Sequence, residues 1–219
     1  MRRNPLMKKC ISPTLLRMAE EKRKRESKKT LLSNKWITVW KESVRLPNGT
    51  IIPEYYFVQK PDFVTIVPLL NTKEVLMLHQ WRPIPKSLIY NLPMGFIEPS
   101  DTSPLEAAKR EFREEIGCPV ETWIDLGSYW RAPSFLTTKA HVYLALCAHC
   151  IRPQFRDIQE AATVKKMEIP AAKNRTSDLT SLTALFLAEE WLQKNARTVP
   201  VRAQKIPRHS RNVRGQNRS

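Results

Sequence analysis

The sequence predicts an α+β domain, a mixed β-sheet held between helices as an αβα sandwich, with an antiparallel β-hairpin at its N-terminal side. Three observations predict it. An Asn48-Gly49 turn lies between the alternating apolar runs KWITVWKESVRL and TIIPEYYFVQK, a strong hairpin signal. Further short runs rich in β-branched and aromatic residues follow, interrupted once by a stretch with helical spacing. A second helical stretch, SDLTSLTALFLAEEWLQ, comes after them. No internal repeat is visible.

The chain has 219 residues and a net charge of +16. That length suffices for one domain with a sizeable core and some terminal extension. The charge is not spread evenly. Residues 1–35 carry twelve Lys/Arg against three acids, residues 197–219 carry seven against none, and residues 36–196 are neutral with 18 of each sign. The predicted organisation is therefore a basic N-terminal arm (1–35), a folded domain (36–196) and a basic, disordered C-terminal tail (197–219). The first 19 residues hold five basic side chains and no acid. They read as a mitochondrial presequence or as the front of the arm, and the arm is the reading preferred. A cytoplasmic location is expected, with the mitochondrial matrix as the alternative. Four cysteines do not make a disulfide framework in a chain of this size, and a reducing compartment is expected. Cys147 and Cys150 form a C-x-x-C, but no second ligand pair at metal spacing accompanies it, so these cysteines are expected to end a buried strand.

In chain order, the hairpin is followed by DFVTIVPLL and EVLMLHQWRP, a second strand pair around the polar turn Asn71–Lys73. SLIYNLPMGFIEP leads into the first helix. There Ser103 and Glu106 form a capping box with Pro104 at the first helical position, and Gly117 is placed to end the helix. WIDLGSYW, HVYLALCAHC and TVKKMEIP are further strands. Ser177 is the candidate cap of the last helix. Trp40, Trp81, Trp123 and Trp130 are assigned to packing or surface, and His79 and His141 to core or interface positions.

The first helix carries the chemistry. Glu111, Glu114 and Glu115 sit at i, i+3 and i+4, so one face holds three carboxylates. A solvated acidic face is the bland reading. The sharper one is a hard cation, since oxygen-rich sites suit Mg²⁺ or Mn²⁺ and the usual substrates of such sites carry phosphates.

The run Gly95, Arg110, Glu111, Phe112, Glu114, Glu115, Gly117 resembles the Nudix box, G-x5-E-x7-R-E-U-x-E-E-x-G-U with U apolar. REFREEIGC fits its second half at every specified position. Gly95 lies one residue too far from Arg110, and Asp101 or Thr102 stands where the interior Glu belongs. An extra residue in the loop leaves the helix face unshifted. The resemblance covers roughly residues 36–193 and is strongest to the ADP-ribose pyrophosphatase branch. LMLHQWRP and LPMGFIEP are similar to that branch's entry into the box, and Pro133 lies fifteen residues past Cys118, where the branch carries a proline.

The resemblance implies a site. Glu111, Glu114 and Glu115 would bind two or three Mg²⁺ with the Met94 carbonyl, Mn²⁺ being possible. Glu115 and Arg110 would belong to the catalytic machinery, with Arg110 neutralising or orienting carboxylates. Glu160 would be the general base, with Asp157 second. Trp36 and Tyr55 would stack the base, Arg82 would contact phosphate and Pro133 would line the substrate loop. The first hairpin would exchange across a homodimer. Three functions follow as expectations. The first is hydrolysis of ADP-ribose or a related nucleoside diphosphate sugar. The second is a 5′-end or cap pyrophosphohydrolase whose basic tails tether RNA. The third is a non-catalytic Nudix-like subunit of a mitochondrial ribosome or RNA-processing complex.

Overall fold

The computed structural model describes residues 24–147, Cys150 and residues 162–195. The three-stranded antiparallel sheet at the N-terminal side comprises β1 (Lys24–Ser33), β2 (Thr38–Arg45) and β3 (Ile51–Gln59), in that order. The expected hairpin is β2–β3. Gly49 turns it with φ +86°, a backbone region open to glycine. The third strand corrects the boundary of the basic arm. KRESKKTLLS, read from its charge as part of the arm, pairs along its length with β2, from Lys24 opposite Arg45 to Ser33 opposite Thr38. Every residue of β1 is exposed, so backbone pairing and ion pairs such as Arg45–Glu26 at 2.8 Å hold it, without an apolar face.

The main sheet has seven strands: β4 (Phe63–Leu69), β5 (Glu74–Arg82), β6 (Ser87–Asn91), β7 (Met94–Phe96), β8 (Thr122–Trp130), β9 (Lys139–Leu146) and β10 (Ala162–Glu168). Its spine runs β10-β5-β4-β9-β8, with β4 and β9 parallel and the other pairs antiparallel. All seven residues of β4 are buried, as a central strand covered on both faces requires. Alternate residues point to opposite layers. On one face Val64, Ile66, Leu76, Leu78, Tyr143 and Ala145 meet Ala107, Ala108, Phe112 and Ile116 of or just beyond helix α1 (Pro104–Glu115). On the other, Val67, Leu69, Val75, Met77, Val142 and Leu144 meet α2 (Ile169–Arg175) and α3 (Leu179–Asn195) through Ile169, Ala184, Leu185, Ala188 and Leu192. The expected αβα sandwich is what forms.

Three local readings change. The strand in TVKKMEIP ends at Glu168, and Ile169-Pro170 already open α2, with Pro170 in its first turn, where a missing N–H costs nothing. The cap of α3 is Asp178, whose Oδ2 accepts the Ser181 N–H at 2.8 Å, rather than Ser177. Cys118 and Cys150 form a disulfide across 32 residues of sequence, where no bridge was expected. Cys147 stays a free thiol in the core, and burial pushes its pKa up to about 12, so the C-x-x-C is not a working thiol pair.

Two deviations from sheet regularity position the site. Strands β4 and β5 are paired only at Leu69–Val75 and then diverge. At the open end β7 pairs with β4 and β6 pairs with β5, leaving a fork between them. The chain crosses that fork at Leu92-Pro93.

Candidate active site

Helix α1 presents its acids to the mouth of the fork because its start and end are fixed locally. Ser103 caps it, accepting the Glu106 N–H at 3.2 Å, and Pro104 follows in the first turn. Gly117 ends it at φ +69°, with its N–H on the Phe112 carbonyl at 2.9 Å. The Glu106 carboxylate takes Lys109 (2.8 Å) instead of closing the reciprocal half of the capping box.

The three glutamates then separate. Glu115 is only 6% exposed, and its Oε2 accepts the Met94 N–H at 3.0 Å. Glu111 lies against Gly95, so closely that a Cβ there would collide with its carboxyl carbon and both oxygens. Burial raises the pKa of Glu111, and Arg110 opposes that shift. Glu114 points elsewhere, half-exposed and 3.4 Å from Arg110. Among the described residues no three His, Cys, Asp or Glu side chains converge at metal spacing.

Arg110 is the organiser of this end. Its guanidinium donates to Asp101 through Nε (3.2 Å) and Nη2 (2.9 Å), to the Phe96 carbonyl (3.0 Å) and to Glu111 (2.7 Å). The Asp101 contact, aided by Glu111, holds its pKa above the ordinary arginine value, and the same contact holds Asp101 low. Of the two candidates for the interior acid of the box, Asp101 therefore does the work. The extra residue is absorbed in the loop, where Asp101 also accepts the Glu98 N–H at 2.8 Å.

Register explains Met94. The Ile66 N–H bonds the Pro93 carbonyl at 2.9 Å, which makes Thr65–Met94 a non-hydrogen-bonded pair. Both backbone polar groups of Met94 thus point away from β4 into the fork. Its N–H is taken by Glu115, and its carbonyl faces the same space.

A cavity of about 720 Å³ fills the fork. Glu111, Glu115, Met94, Gly95, Arg82 and Arg131 are among its lining residues. Four of the positions singled out in the sequence are thus brought together: Arg82, Met94, Glu111 and Glu115. The others are not. Tyr55 and Pro133 line a separate cavity of about 260 Å³, where the Tyr55 hydroxyl donates to the Ser134 carbonyl at 2.7 Å. The loop after β8 is tied to β3 by Val58 N–H to Phe135 O (2.8 Å), which holds Pro133 against the N-terminal sheet. Trp36 is 63% exposed, with Lys35 over its ring, and does not line the 720 Å³ cavity. Glu160 and Asp157 lie outside the described residues.

Sequence reading missed Ser181. Fully buried, its Oγ accepts the Leu92 N–H at 2.9 Å and donates to Asp178 at 2.6 Å, while Thr176 Oγ1 donates to the Tyr90 carbonyl at 2.7 Å. The start of α3 thereby holds the segment that carries Met94. Ser181→Ala strands a buried N–H, at a cost of about 1–3 kcal/mol. A lower melting temperature is expected, with a severalfold rise in the Mg²⁺ concentration needed for half-maximal activity, and Ser181→Thr should recover part of both. Thermal denaturation and a metal titration measure them.

The NUDIX domain model matches residues 60–186, more than half of the chain. This chain belongs to the Nudix hydrolase family. Residues 24–58, the three-stranded sheet, match the nucleoside diphosphate sugar hydrolase N-terminal domain. The chain is similar to ADP-ribose pyrophosphatase of Mycobacterium tuberculosis, at 30% identity over 128 residues, 58% of this chain and 61% of that one. It thus spans about three fifths of the length of that relative. It is also similar to ADP-ribose pyrophosphatase of Bacillus subtilis, at 27% identity over 65% of this chain and 76% of that one. The ADP compounds hydrolase NudE of Escherichia coli is 25% identical over 71% and 87%. A crystal structure of an ADP compounds hydrolase superposes with a TM-score of 0.68 at 22% identity, covering 81% of this chain and 97% of that one, which shows the same fold.

Nudix hydrolases generally use a divalent metal. The Glu111 carboxylate in the cradle above Gly95, the buried Glu115 and the outward Met94 carbonyl are a hard-oxygen donor set that fits one.

Proposed function

We propose that this Nudix protein is a Mg²⁺-dependent pyrophosphatase that hydrolyses ADP-ribose or a related nucleoside diphosphate sugar to a nucleoside monophosphate and a sugar phosphate. One observation carries the reading: Glu111, Glu115, Met94 and Arg82 share a cavity large enough for a nucleotide-sized ligand. The relatives named for ADP-ribose support the same class.

Bound Mg²⁺ would supply charge neutralisation on the diphosphate and a lowered pKa for attacking water. The side chains do the rest. Glu111 and Glu115 would hold the metal with the Met94 carbonyl. Arg110 keeps Glu111 oriented from behind without entering the cavity. Arg82 would take a phosphate oxygen edge-on. Glu160 remains the proposed base. Trp36 does not line its own chain's cavity, so its assigned role goes with a homodimer in which the N-terminal sheet of one copy reaches the site of the other. The experiment is release of AMP from ADP-ribose by the full chain with Mg²⁺, beside a panel of nucleotide sugars and capped RNA. Silence across the panel with folding verified would overturn the proposal.

The basic termini favour a second role, RNA contact added to hydrolysis. Trimming residues 1–23 and 200–219 is expected to leave ADP-ribose turnover within about twofold while weakening RNA binding and flattening its salt dependence. An RNA affinity indifferent to trimming would remove that role.

A further inference from the structure

Among the described residues three buried side-chain atoms have no hydrogen-bond partner: Thr65 Oγ1, Gln80 Nε2 and Asn91 Oδ1. Two of them belong together. Asn91 Nδ2 donates to Gln80 Oε1 at 3.2 Å and lies 3.4 Å from the Leu92 carbonyl, so each amide is only half used. Reversing both amides leaves the same remainder, one donor and one acceptor. Gln80 and Asn91 are each 1% exposed. Two apolar side chains of similar shape would fill this space without stranding a polar atom. A buried donor beside a buried acceptor is what an ordered water requires.

The pair stands where such a water has a use. Gln80 faces the same way as Leu78, whose side chain meets α1, and Asn91 is paired with Leu78 across β5 and β6. Asn91 lies three residues before Met94 and lines the 720 Å³ cavity together with Met94, Glu111 and Glu115. The donor set that fits a divalent metal and the half-used amides thus border one space.

We infer that Gln80 and Asn91 are positioning residues for the metal centre, orienting through one ordered water the hydration of a divalent cation held by Glu111, Glu115 and the Met94 carbonyl. The inference rests on the hydrolase reading above for the presence of that cation. Mg²⁺ keeps several of its waters when bound, and groups that orient a metal's ligands from outside are worth about 10- to 100-fold in affinity.

Wild type is compared with Gln80→Met, Asn91→Leu and the double variant. Thermal denaturation reads the fold, and the free Mn²⁺ signal in electron paramagnetic resonance reads metal binding without turnover. Met and Leu keep roughly the volume of the two amides. The double variant removes both partners at once, so its melting temperature should match or exceed that of wild type. Its Mn²⁺ dissociation constant should nevertheless rise about tenfold or more. Each single variant should melt below the double one, because it leaves the remaining amide with a further unpaired group. In the double variant excess Mg²⁺ should restore kcat to within about threefold of wild type, a shift in metal requirement that packing alone would not produce.

Unchanged Mn²⁺ affinity overturns the inference, whether the double variant is destabilised or not. If the double variant loses both stability and affinity, or fails to fold, a crystal structure of wild type with Mn²⁺ takes its place. A water bonded to both amides and to a ligand of the metal is expected there, and its absence overturns the inference. The expected fall in Mn²⁺ affinity in a chain that turns over no nucleotide sugar would leave the inference standing and count against the hydrolase reading alone.

Discussion

Glu115→Gln is expected to lower turnover of ADP-ribose by about a thousandfold or more, a barrier increase of several kcal/mol, because it removes a charged ligand from metal-ion catalysis. Glu114→Gln is expected to cost about tenfold at most. The residues are neighbours in sequence and alike in chemistry, so their environments must explain the difference. Glu115 is buried, accepts the Met94 N–H and lines the cavity. A Gln at 115 can keep that bond through its carbonyl oxygen, so folding should survive while the metal loses its anion. Glu114 is half-exposed and faces Arg110 at 3.4 Å, an exposed contact of small value. Steady-state kinetics with Mg²⁺ titration, beside thermal denaturation, makes the comparison. Equal, large losses at both positions would restore the three-carboxylate arrangement that spacing alone suggested.

Spacing suggested it because i, i+3 and i+4 share a helix face of some width, and sequence does not say where a cavity falls across that face. Local rules served well where the cause was local. Ser103, Pro104 and Gly117 bound α1 as their backbone chemistry requires, and Asn48-Gly49 turns the β2–β3 hairpin. They failed where the cause was a distant partner. Strand β1 has no apolar alternation, and only its pairing to β2 makes it a strand. Cys118 meets Cys150 because one follows α1 and the other follows β9. Ser181 and Arg131 reach the fork from elements that approach it only in three dimensions. A signal for α2 was present, since Pro170 followed by Ala171-Ala172-Lys173 is a good helix start, but a helix of seven residues after a strand is easily read as the strand's end.

Gly95→Ala is the substitution expected to separate activity from stability most sharply. The backbone at Gly95 is not in the left-handed region, so alanine brings no conformational strain of its own. The three atoms nearest the added methyl all belong to the Glu111 carboxyl group, and a glutamate terminus can swing aside by rotating about its own torsions. The fold should therefore lose little, about 1 kcal/mol. The site should lose much more. Glu111 has Arg110 on one side at 2.7 Å and the floor at Gly95 on the other, so any rotamer that clears a methyl also breaks the Arg110 contact or withdraws the carboxylate from the cavity. A displacement of about 1 Å at such a group is enough for a hundredfold loss of rate. The expected result is turnover reduced about a hundredfold or more and a raised Mg²⁺ requirement, with a melting temperature close to wild type. Pairing Gly95→Ala with Glu111→Asp tests the cause, because the shorter acid leaves room for the methyl. If steric expulsion of Glu111 is the mechanism, the double variant falls far less than the product of the two single losses. Independent, multiplicative losses would mean that Gly95 matters for the path of β7 itself and that the carboxylate cradle is incidental.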